Sequence, residues 1–500
     1  MERVLTKKEM ILFLVVSGLL WAASFPPLPT GFLAYFMLVF LWFAISNVEN
    51  GWKAFKAGYI WAFVATGATL WWITKPTIPG FIAILFYLPI FGALYAWLHY
   101  KISVRSETLA IVLSPVILVG IEYLRSFGKL GFPWMNLSYT QTCYPVLIQF
   151  ADIVGNYGVS LWVAAINSCF YFIIRKPLSK GAIFSAIVLL ALFLTAFLYG
   201  KSRMRKPIEG VPVDVAVIQS NIDPYKKWSG SFKRINAKLH ADMIKAASGH
   251  ATLVIAPETA TACYHKLAPS IFSVFKSATV EAGVYLLVGT LDFDPEKREN
   301  YFNSAILISP DGKITGNYYK IQLVPFGEQV PFQDRDPFLR KINFGGSYFS
   351  AGKEYTLFKF EPSEGRIVDF SAMICYESAF SWLARRFRNK GADFLVNITN
   401  DGWFGKTSGP YQHAMFNVMR AIENRVWIVR SANTGVSMIV DPYGRVVRQT
   451  RLFERCMLFF TINATYEKTV YDRIGDVFGF VGFMFCVPLS FWAAFQKRNA

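Results

Sequence analysis

The hydrophobic pattern divides the chain into two kinds of segment. Seven apolar stretches, each about as long as a membrane-spanning helix needs to be, occupy the first 200 residues, and an eighth, Val477–Phe495, follows a long polar interval. The seven lie at about 9–25, 30–46, 56–74, 80–100, 107–125, 150–174 and 182–200. The first could be a signal peptide, but further apolar segments follow it directly, so we expect a retained helix. The pattern predicts a multi-pass α-helical membrane bundle with eight transmembrane helices.

The polar interval has a different pattern, with short strand-like runs divided by Gly, Pro and Asp. The runs are Val213–Gln219, Thr252–Ala256, Tyr285–Gly289, Ser304–Ser309, Val368–Cys375 and Phe394–Thr399. Helix-compatible stretches lie between several of them, at Ser231–Ala247, Ala268–Ala282 and His413–Asn424. This alternation predicts an α/β or layered α+β domain with its own core. The predicted organisation is a membrane bundle at 1–200, an inserted domain at 201–475, and a last transmembrane helix and tail at 476–500.

Composition supports a membrane protein and excludes several other classes. Charged residues make up 17% of the chain and apolar residues 54%, whereas an average soluble domain has roughly 25% charged residues. Disordered chains and collagen are excluded by this composition. The six cysteines have no CxxC spacing and the five histidines are scattered, so the sequence predicts no disulfide framework, no metal site and no cofactor. It also has no Walker A loop, GxSxG elbow or HExxH motif.

The net charge of +18 is distributed in a way that orients the bundle. Lys and Arg fall in alternate short loops, at Lys7, Lys8, Lys53, Lys56, Lys101, Arg105, Arg175, Lys176, Lys180, Lys497 and Arg498. The positive-inside rule makes that side cytoplasmic, and the inserted domain then faces the periplasm. The cluster Lys201, Arg203, Arg205 and Lys206 is an exception on the outer side. Because the basic residues follow topology and form no stripe, we expect no nucleic-acid partner.

Glu122 and Arg125 stand out because they lie within a predicted transmembrane helix. Their spacing places both on one helix face near its outer end. One interpretation is an interfacial ion pair that holds an aromatic belt residue. The other is a functional wall of a site that faces lipid. The sequence alone leaves both interpretations open.

Three reactive side chains follow predicted strands of the inserted domain. Glu258 comes after Leu253–Ala256, Lys320 after Tyr318–Tyr319, and Cys375 ends Val368–Cys375. Each alone has an ordinary structural explanation, because Cys is often buried, Glu can cap a helix and Lys is usually solvated. Together they supply a base, a cation and a thiol, and a thiol needs both to become a nucleophile. The combination predicts acyl transfer through a thioester.

The motifs around these residues resemble a known superfamily. PET at 257–259, YYK at 318–320, LVPFGE at 323–328, ICYE at 374–377 and NITNDGWF at 397–404 are similar to the Glu-Lys-Cys triad regions of the nitrilase superfamily. Segments 120–141, 218–228 and 409–435, and the eight-helix frame, resemble its membrane-embedded branch, the apolipoprotein N-acyltransferase family. The resemblance covers essentially the whole chain and shows no departure at the triad.

This resemblance implies a fold, a reaction and a set of roles. The fold would be an αββα sandwich inserted in the bundle, in the inner membrane of a bacterium. The substrates would be a membrane phospholipid as acyl donor and a diacylglyceryl-apolipoprotein as acceptor, with no cofactor and a monomeric enzyme. Cys375 would be the nucleophile, Glu258 the general base and Lys320 the oxyanion stabiliser. Four further residues match family positions at or near the site, namely Glu328, Trp228, Tyr376 and Glu377.

Two competing interpretations use the same residues differently. A membrane-tethered nitrilase or amidase could hydrolyse a small amide or nitrile with the same triad, although one anchor helix would suffice for it. A transporter with an additional outer domain is the second alternative. The transporter is disfavoured because the helices carry few charges and no paired broken segments. Lipid-dependent formation of a thioester would distinguish the acyltransferase from both.

Overall fold

The computed structural model describes residues 5–296, 300–332, 348–465 and 467–495. The chain divides into two compact units, one formed by Met1–Arg205 with Ile474–Ala500 and the other by Lys206–Arg473. The basic residues Lys497 and Arg498, which the sequence assigns to the cytoplasmic tail, lie outside the described residues.

The first unit is helical at each of the eight apolar stretches. Its helices before the inserted unit are α1 (Lys7–Ala23), α2 (Met37–Ile45), α3 (Gly51–Leu70), α4 (Ile78–Tyr87), α5 (Pro89–Ser103), α6 (Glu107–Arg125), α7 (Ala151–Arg175) and α8 (Lys180–Met204). The final helix, Val477–Phe495, belongs to the same unit.

Five helices in the described part of the chain are long and apolar enough to cross a membrane. They are Ile78–Ser103, in which α4 and α5 are counted as one span, Glu107–Arg125, Ala151–Arg175, Lys180–Met204 and Val477–Phe495. The first three predicted stretches do not reach this standard. For example, α1 has only 17 residues, and a 3₁₀ turn at Gly31–Tyr35 leaves α2 only 9 residues long. The structure therefore shows several apolar helices that could span, without fixing the number at eight.

Proline and glycine set the details of the bundle. The fourth predicted stretch is divided into α4 and α5 because Pro89, which has no backbone N–H, begins a new helix. The final helix packs against α6 with almost no space between them. A Cβ added to Gly120 would lie 2.4 Å from the carbonyl oxygen of Gly482. Small residues at a helix crossing allow backbones to approach in this way.

The structure shows which contacts Glu122 and Arg125 make. Both side chains point into the protein, since Glu122 is 1% exposed and Arg125 8% exposed. The Glu122 carboxylate accepts a hydrogen bond from the Leu137 backbone N–H (2.6 Å), and Arg125 donates to Asn136 (2.8 Å). They therefore brace the segment that joins α6 to α7. Both side chains also line a cavity together with Trp21 and Trp61, and the two interpretations stay predictions.

Arg203, one of the basic residues that departs from the charge alternation, has a specific partner. Its Nε lies 3.2 Å from an Asp152 carboxylate oxygen, and the Tyr199 hydroxyl donates to the same carboxylate at 2.9 Å. This ion pair compensates one charge of the exceptional cluster within the unit itself.

The second unit contains two six-stranded sheets. One sheet has the order β12-β1-β2-β3-β4-β5 and the other β11-β10-β9-β8-β7-β6. The strands are β1 (Val211–Gln219), β2 (Leu253–Ile255), β3 (Tyr285–Phe293), β4 (Tyr301–Ile308), β5 (Ile314–Tyr319), β6 (Phe358–Ser363), β7 (Arg366–Ile374), β8 (Phe394–Thr399), β9 (Ile428–Ala432), β10 (Met438–Val440), β11 (Val446–Gln449) and β12 (Cys456–Ala464). The six predicted strands are confirmed.

Helices cover the outer face of each sheet. They are α9 (Gly230–Lys245), α10 (Pro269–Ala282), α11 (Ser381–Lys390) and α12 (Gly409–Asn424). The short α13 (Val470–Ile474) follows the last strand, and the final helix is α14. Helices α9 and α10 form an apolar core with β1–β4, in which Phe275 and Val254 are fully buried. The sheets meet at β1 and β9, where the Ser431 hydroxyl donates to the Ile218 carbonyl (2.7 Å). The unit is thus an α/β sandwich with helix, sheet, sheet and helix layers.

The direction of the strands determines where the candidate reactive side chains lie. Strands β1, β2 and β3 are parallel, as are β7, β8 and β9, and the remaining pairs are antiparallel. Parallel strands present their carboxyl ends at one edge of a sheet, where α/β proteins usually hold their reactive groups. Glu258 follows β2 and Cys375 follows β7, so both lie at such edges.

Candidate active site

The three predicted reactive residues leave strands of both sheets. Lys320 directly follows β5 and Cys375 directly follows β7, while Glu258 lies three residues beyond the end of β2. Lys320 Nζ lies 3.9 Å from the nearer Glu258 oxygen. The Glu258 and Lys320 charges also act on the Cys375 thiol. Lys320 and Glu258 therefore lie side by side, and Cys375 lies close enough for both charges to affect its thiol.

Glu328 completes the ionic part of the site. Its Oε1 accepts a hydrogen bond from Lys320 Nζ at 2.8 Å, and its Oε2 accepts one from the Val324 backbone N–H at 2.9 Å. The ammonium is thus held more tightly by Glu328 than by Glu258. With Lys320 only 1% exposed, this pair is shielded from water and fixes the position of the cation.

An asparagine that the sequence analysis missed joins the two carboxylates. Asn303 Nδ2 donates to Glu258 Oε1 at 2.7 Å and to Glu328 Oε1 at 3.1 Å. An amide nitrogen carries two hydrogens, so it can serve both acceptors at once. The other Glu258 oxygen accepts from the Asn400 backbone N–H at 2.9 Å. Glu258 is therefore oriented by two donors that lie far from it in sequence.

A glycine permits the turn that carries Glu258. A Cβ added to Gly289 in β3 would lie 2.5 Å from the Pro257 carbonyl oxygen and 2.6 Å from Glu258 Cα. The next residue, Thr259, adopts a left-handed conformation with φ 49°. Gly289 therefore provides the space into which the Glu258 turn packs.

Cys375 has an unusual backbone conformation. Its φ is +55°, a left-handed value that few residues other than Gly, Asn and Asp adopt. The residue begins a 3₁₀ turn immediately after β7, and it is half-buried. Strained backbone of this kind is common where a side chain must be presented for chemistry. The conformation turns the chain sharply at the thiol.

The site is built so that the thiol is protonated at rest. Burial raises the pKa of Cys375, the negative charge of Glu258 raises it further, and the opposing effect of Lys320 is too small to reverse this. For Lys320, burial lowers the pKa, but the negative charges of Glu328, Cys375 and Glu258 outweigh it and raise the value overall. Lys320 therefore stays an ammonium ion, and Glu258 is better suited than Lys320 to accept a proton.

Glu377 connects the turns that carry two of these residues. Its carboxylate accepts hydrogen bonds from the backbone N–H groups of Ile321 (2.7 Å), Gln322 (3.0 Å) and Ile374 (2.7 Å) and from the Tyr318 hydroxyl (2.7 Å). Burial raises the pKa of Glu377 to about 7, against the effect of these donors. The side chain thus ties the segment after Lys320 to the residue before Cys375.

The remaining two predicted site residues lie at its border. Tyr376 is buried and packs edge-to-face against Phe380, with ring centroids 5.0 Å apart. Trp228 is 37% exposed, and the Lys227 ammonium lies 5.3 Å from the centre of its ring. Lys227 in turn donates to the Thr259 carbonyl at 3.2 Å. Trp228 is therefore linked to the Glu258 turn through Lys227.

No metal site accompanies this cluster. In the parts of the chain that the structure describes, no group of three or more His, Cys, Asp or Glu side chains could hold a metal ion.

Comparison with known proteins gives a family for both units. Residues 17–169 match the family described as apolipoprotein N-acyltransferase N-terminal domain, and residues 214–471 match the family described as carbon-nitrogen hydrolase.

Full-length relatives decide the assignment. The apolipoprotein N-acyltransferase of Geobacter metallireducens is 36% identical over 485 residues, which cover 93% of this chain and 92% of the relative. This chain belongs to the apolipoprotein N-acyltransferase family. The family member from Chlorobaculum tepidum is 29% identical over 514 residues, or 97% of this chain and 96% of the relative. The resemblance inferred from the motifs is confirmed, and the protein is an acyltransferase.

A solved structure also aligns with part of the chain. An amidase from Nesterenkonia sp. is 19% identical, with a TM-score of 0.40, and the alignment covers 54% of this chain and 96% of that one.

Proposed function

We propose that this enzyme moves a fatty acyl chain from a membrane phospholipid to the N-terminal amine of the diacylglyceryl-cysteine of an apolipoprotein. The acyl group travels as a thioester on Cys375. The observation that carries this proposal is the meeting of a left-handed Cys375, a fully buried Lys320 ammonium and an oriented Glu258 carboxylate. These groups supply a nucleophile, a fixed cation and a proton acceptor, which acyl transfer through a thiol requires.

The first half-reaction forms the thioester. Because the thiol is protonated at rest, its proton must pass to Glu258 as the sulfur attacks the ester carbonyl carbon. The negative charge that develops on the carbonyl oxygen is stabilised by the ammonium of Lys320, which Glu328 holds at 2.8 Å. The C–O bond then breaks, and the departing lyso-phospholipid oxygen takes the proton from Glu258.

The second half-reaction transfers the acyl group to nitrogen. The neutral amine of the acceptor attacks the thioester carbonyl carbon, and Lys320 again stabilises the oxyanion. Glu258 accepts a proton from the amine and returns it to the sulfur as the C–S bond breaks. Both half-reactions end with Glu258 ionised and can therefore use the same carboxylate. Glu328 is less suited to this task, since its two oxygens bind Lys320 and the Val324 N–H.

We further propose a topology for the membrane unit. Eight helices cross the inner membrane of a bacterium, both termini face the cytoplasm, and residues 201–475 form a periplasmic catalytic domain. The alternation of Lys and Arg between short loops supports this arrangement. The working enzyme is a monomer that needs no nucleic acid and no cofactor.

Intact-mass spectrometry of the enzyme purified from membranes tests the carrier role. We expect an adduct of one fatty acyl chain that maps to Cys375 and disappears when a diacylglyceryl peptide is added. Cys375→Ala should abolish the adduct, and Cys263→Ala, which removes a buried thiol near Glu258 in sequence, should leave it. Release of free fatty acid without an acylated peptide would contradict the proposal and favour the hydrolase alternative.

A further inference from the structure

The backbone carbonyl of Cys375 is held by side chains from elements outside its own turn. His413 on α12 approaches it with Nε2 at 3.0 Å. Asn397 on β8 donates from Nδ2 to the Met373 carbonyl at 3.1 Å and to the Cys375 carbonyl at 3.5 Å. Within its own turn, the Ser378 hydroxyl also donates to the Cys375 carbonyl at 3.2 Å. Of the three contacts, that of His413 is the shortest. The peptide unit that follows the proposed nucleophile is therefore fixed by a side chain 38 residues away.

Two charged residues lie behind the imidazole. Asp401 Oδ1 is 2.7 Å from His413 Nδ1, and Arg430 donates from Nη2 to Asp401 Oδ2, also at 2.7 Å. All three side chains are fully buried. Arg430 is itself fixed by a hydrogen bond from Nε to the Val436 carbonyl at 3.1 Å. Burying such charges is costly unless they are paired, and this chain of contacts supplies the pairing.

The two partners of the His413 imidazole limit the hydrogen bonds that it can make. Burial raises the pKa of Asp401, but Arg430 and His413 outweigh this and lower it to about 2, so its carboxylate only accepts hydrogen bonds. The Cys375 carbonyl is also only an acceptor. His413 Nε2 is therefore placed to donate to the Cys375 carbonyl, and Nδ1 faces the Asp401 carboxylate. Arg430 Nη2 lies 3.2 Å from His413 Nδ1 because both groups bind the same carboxylate.

We propose that His413 is a positioning residue for acyl transfer. Its Nε2–H holds the Cys375 carbonyl and thereby keeps the backbone in the left-handed conformation (φ +55°) that presents the thiol. Asp401 and Arg430 fix the ring in the orientation that makes this contact. Left-handed backbone at a residue with a side chain persists only when its surroundings hold it. The proposal rests on the assignment of Cys375 as the nucleophile in the proposed function.

Two substitutions at His413 separate positioning from simple packing. A Gln side chain can place its amide nitrogen where Nε2 lies and can still donate to the Cys375 carbonyl. An Asn side chain reaches only the position of Nδ1 and keeps the contact with Asp401, while the contact with the carbonyl is lost. We expect His413→Asn to lower kcat about 100-fold with KM for phospholipid unchanged, since small misplacements of a reacting group have effects of this size. His413→Gln should retain most of the turnover.

His240 provides a matched control. Its imidazole is also buried in the second unit, but its Nδ1 contacts the Asn236 carbonyl of its own helix, at 2.9 Å. His240→Asn should lower the thermal unfolding midpoint about as much as His413→Asn and should leave kcat near the wild-type value. Equal losses of kcat in His413→Gln and His413→Asn would overturn the positioning role, and so would wild-type kcat in His413→Asn.

The test also distinguishes this proposal from the proposed function. If the wild-type enzyme forms the acyl adduct on Cys375 and His413→Asn turns over normally, only the positioning role fails. If the wild-type enzyme forms no adduct, the proposed function fails first. If His413→Asn does not fold, Asp401→Asn is the alternative variant. It keeps an oxygen opposite His413 Nδ1 but removes the negative charge, so it fixes the imidazole less firmly. A lower kcat with unchanged KM in that variant supports positioning, and wild-type kcat overturns it.

Discussion

The ammonium of Lys320 is fixed by two carboxylates at unequal distances. Glu328 lies 2.8 Å from Nζ and Glu258 3.9 Å from it. The closer carboxylate anchors the cation, and the more distant one is held by Asn303 and the Asn400 N–H. In the proposed mechanism, two acidic residues that look equivalent in the sequence therefore have different tasks, since Glu328 holds the cation and Glu258 moves a proton.

This division of tasks predicts the effect of a conservative change at the lysine. Lys320→Arg keeps the charge but replaces a compact ammonium with a wide planar group, which cannot fit the same buried position. We expect turnover to fall by about 100-fold or more, as when an oxyanion donor is removed, in a protein that still folds. The measurement is acyl transfer to a diacylglyceryl peptide by the purified enzyme.

Lys266 offers the matched control for this change. It is partly exposed and forms an ion pair with Asp292 at 2.9 Å. Lys266→Arg should leave turnover at the wild-type level. Substantial turnover by Lys320→Arg would reduce Lys320 to a peripheral electrostatic role.

At the scale of elements, the site depends on close packing of a strand against a turn. The turn that carries Glu258 lies directly over Gly289 of β3, with no space for a methyl group. The Lys320 and Cys375 segments are joined by the four hydrogen bonds to Glu377. Elements of both sheets are thereby fixed relative to each other at the site.

A methyl group at Gly289 tests the packing of the Glu258 turn. Gly289→Ala would place an atom 2.6 Å from Glu258 Cα, so the turn must shift. We expect a loss of stability of about 1–3 kcal/mol, the usual cost of overpacking, together with a clear loss of kcat. Gly230→Ala is the control, because a Cβ there meets nothing within 4 Å. Wild-type activity and stability in Gly289→Ala would contradict this view of the turn.

The sequence could predict the elements that have a strong pattern and the residues at their ends. Strand β2 is recognisable as a short apolar run before Pro257, and the structure places Glu258 after β2 within 3.9 Å of Lys320 after β5. Short strands such as β10 and β11 lack such a pattern and were not predicted. Their pairing depends on neighbours in the sheet and is not encoded in local periodicity.

Contacts made over long sequence separations could not be predicted. Asn303 is 45 residues from Glu258, and Asn400 is 142 residues from it. The scattered histidines give no reason to single out His413 from the sequence, and only the fold brings it to the Cys375 carbonyl. The left-handed backbone at Cys375 also left no signal, since Gly or Asn would be the residues that indicate it.

At the scale of the whole molecule, the distribution of Lys and Arg indicates the membrane topology that we propose. Lys and Arg alternate between short loops, and one exception, Arg203, is paired with Asp152. The positive-inside rule disfavours basic residues on the outer side. Because the charge of Arg203 is compensated by Asp152, the cluster conflicts less with that rule. The arrangement agrees with an even number of crossings and with a catalytic unit on the outer side.

Reporter fusions test this topology. A reporter that is active only outside the cytoplasm should be active when fused after residue 300 and silent when fused at Arg105. It should also be silent at Asn499, which lies outside the described residues. Activity at Asn499 would contradict the even number of transmembrane helices.

The central claim is that Cys375 carries the acyl group between two separate half-reactions, and the order of product release tests it most directly. Enzyme mixed with phospholipid alone should release about one lyso-phospholipid per active site before any acceptor is added, as expected for ping-pong kinetics. Cys375→Ala should release none, and Cys263→Ala should behave like the wild type. Lyso-phospholipid that appears only when the acceptor peptide is present would contradict the account, because the acyl chain would then pass directly between substrates.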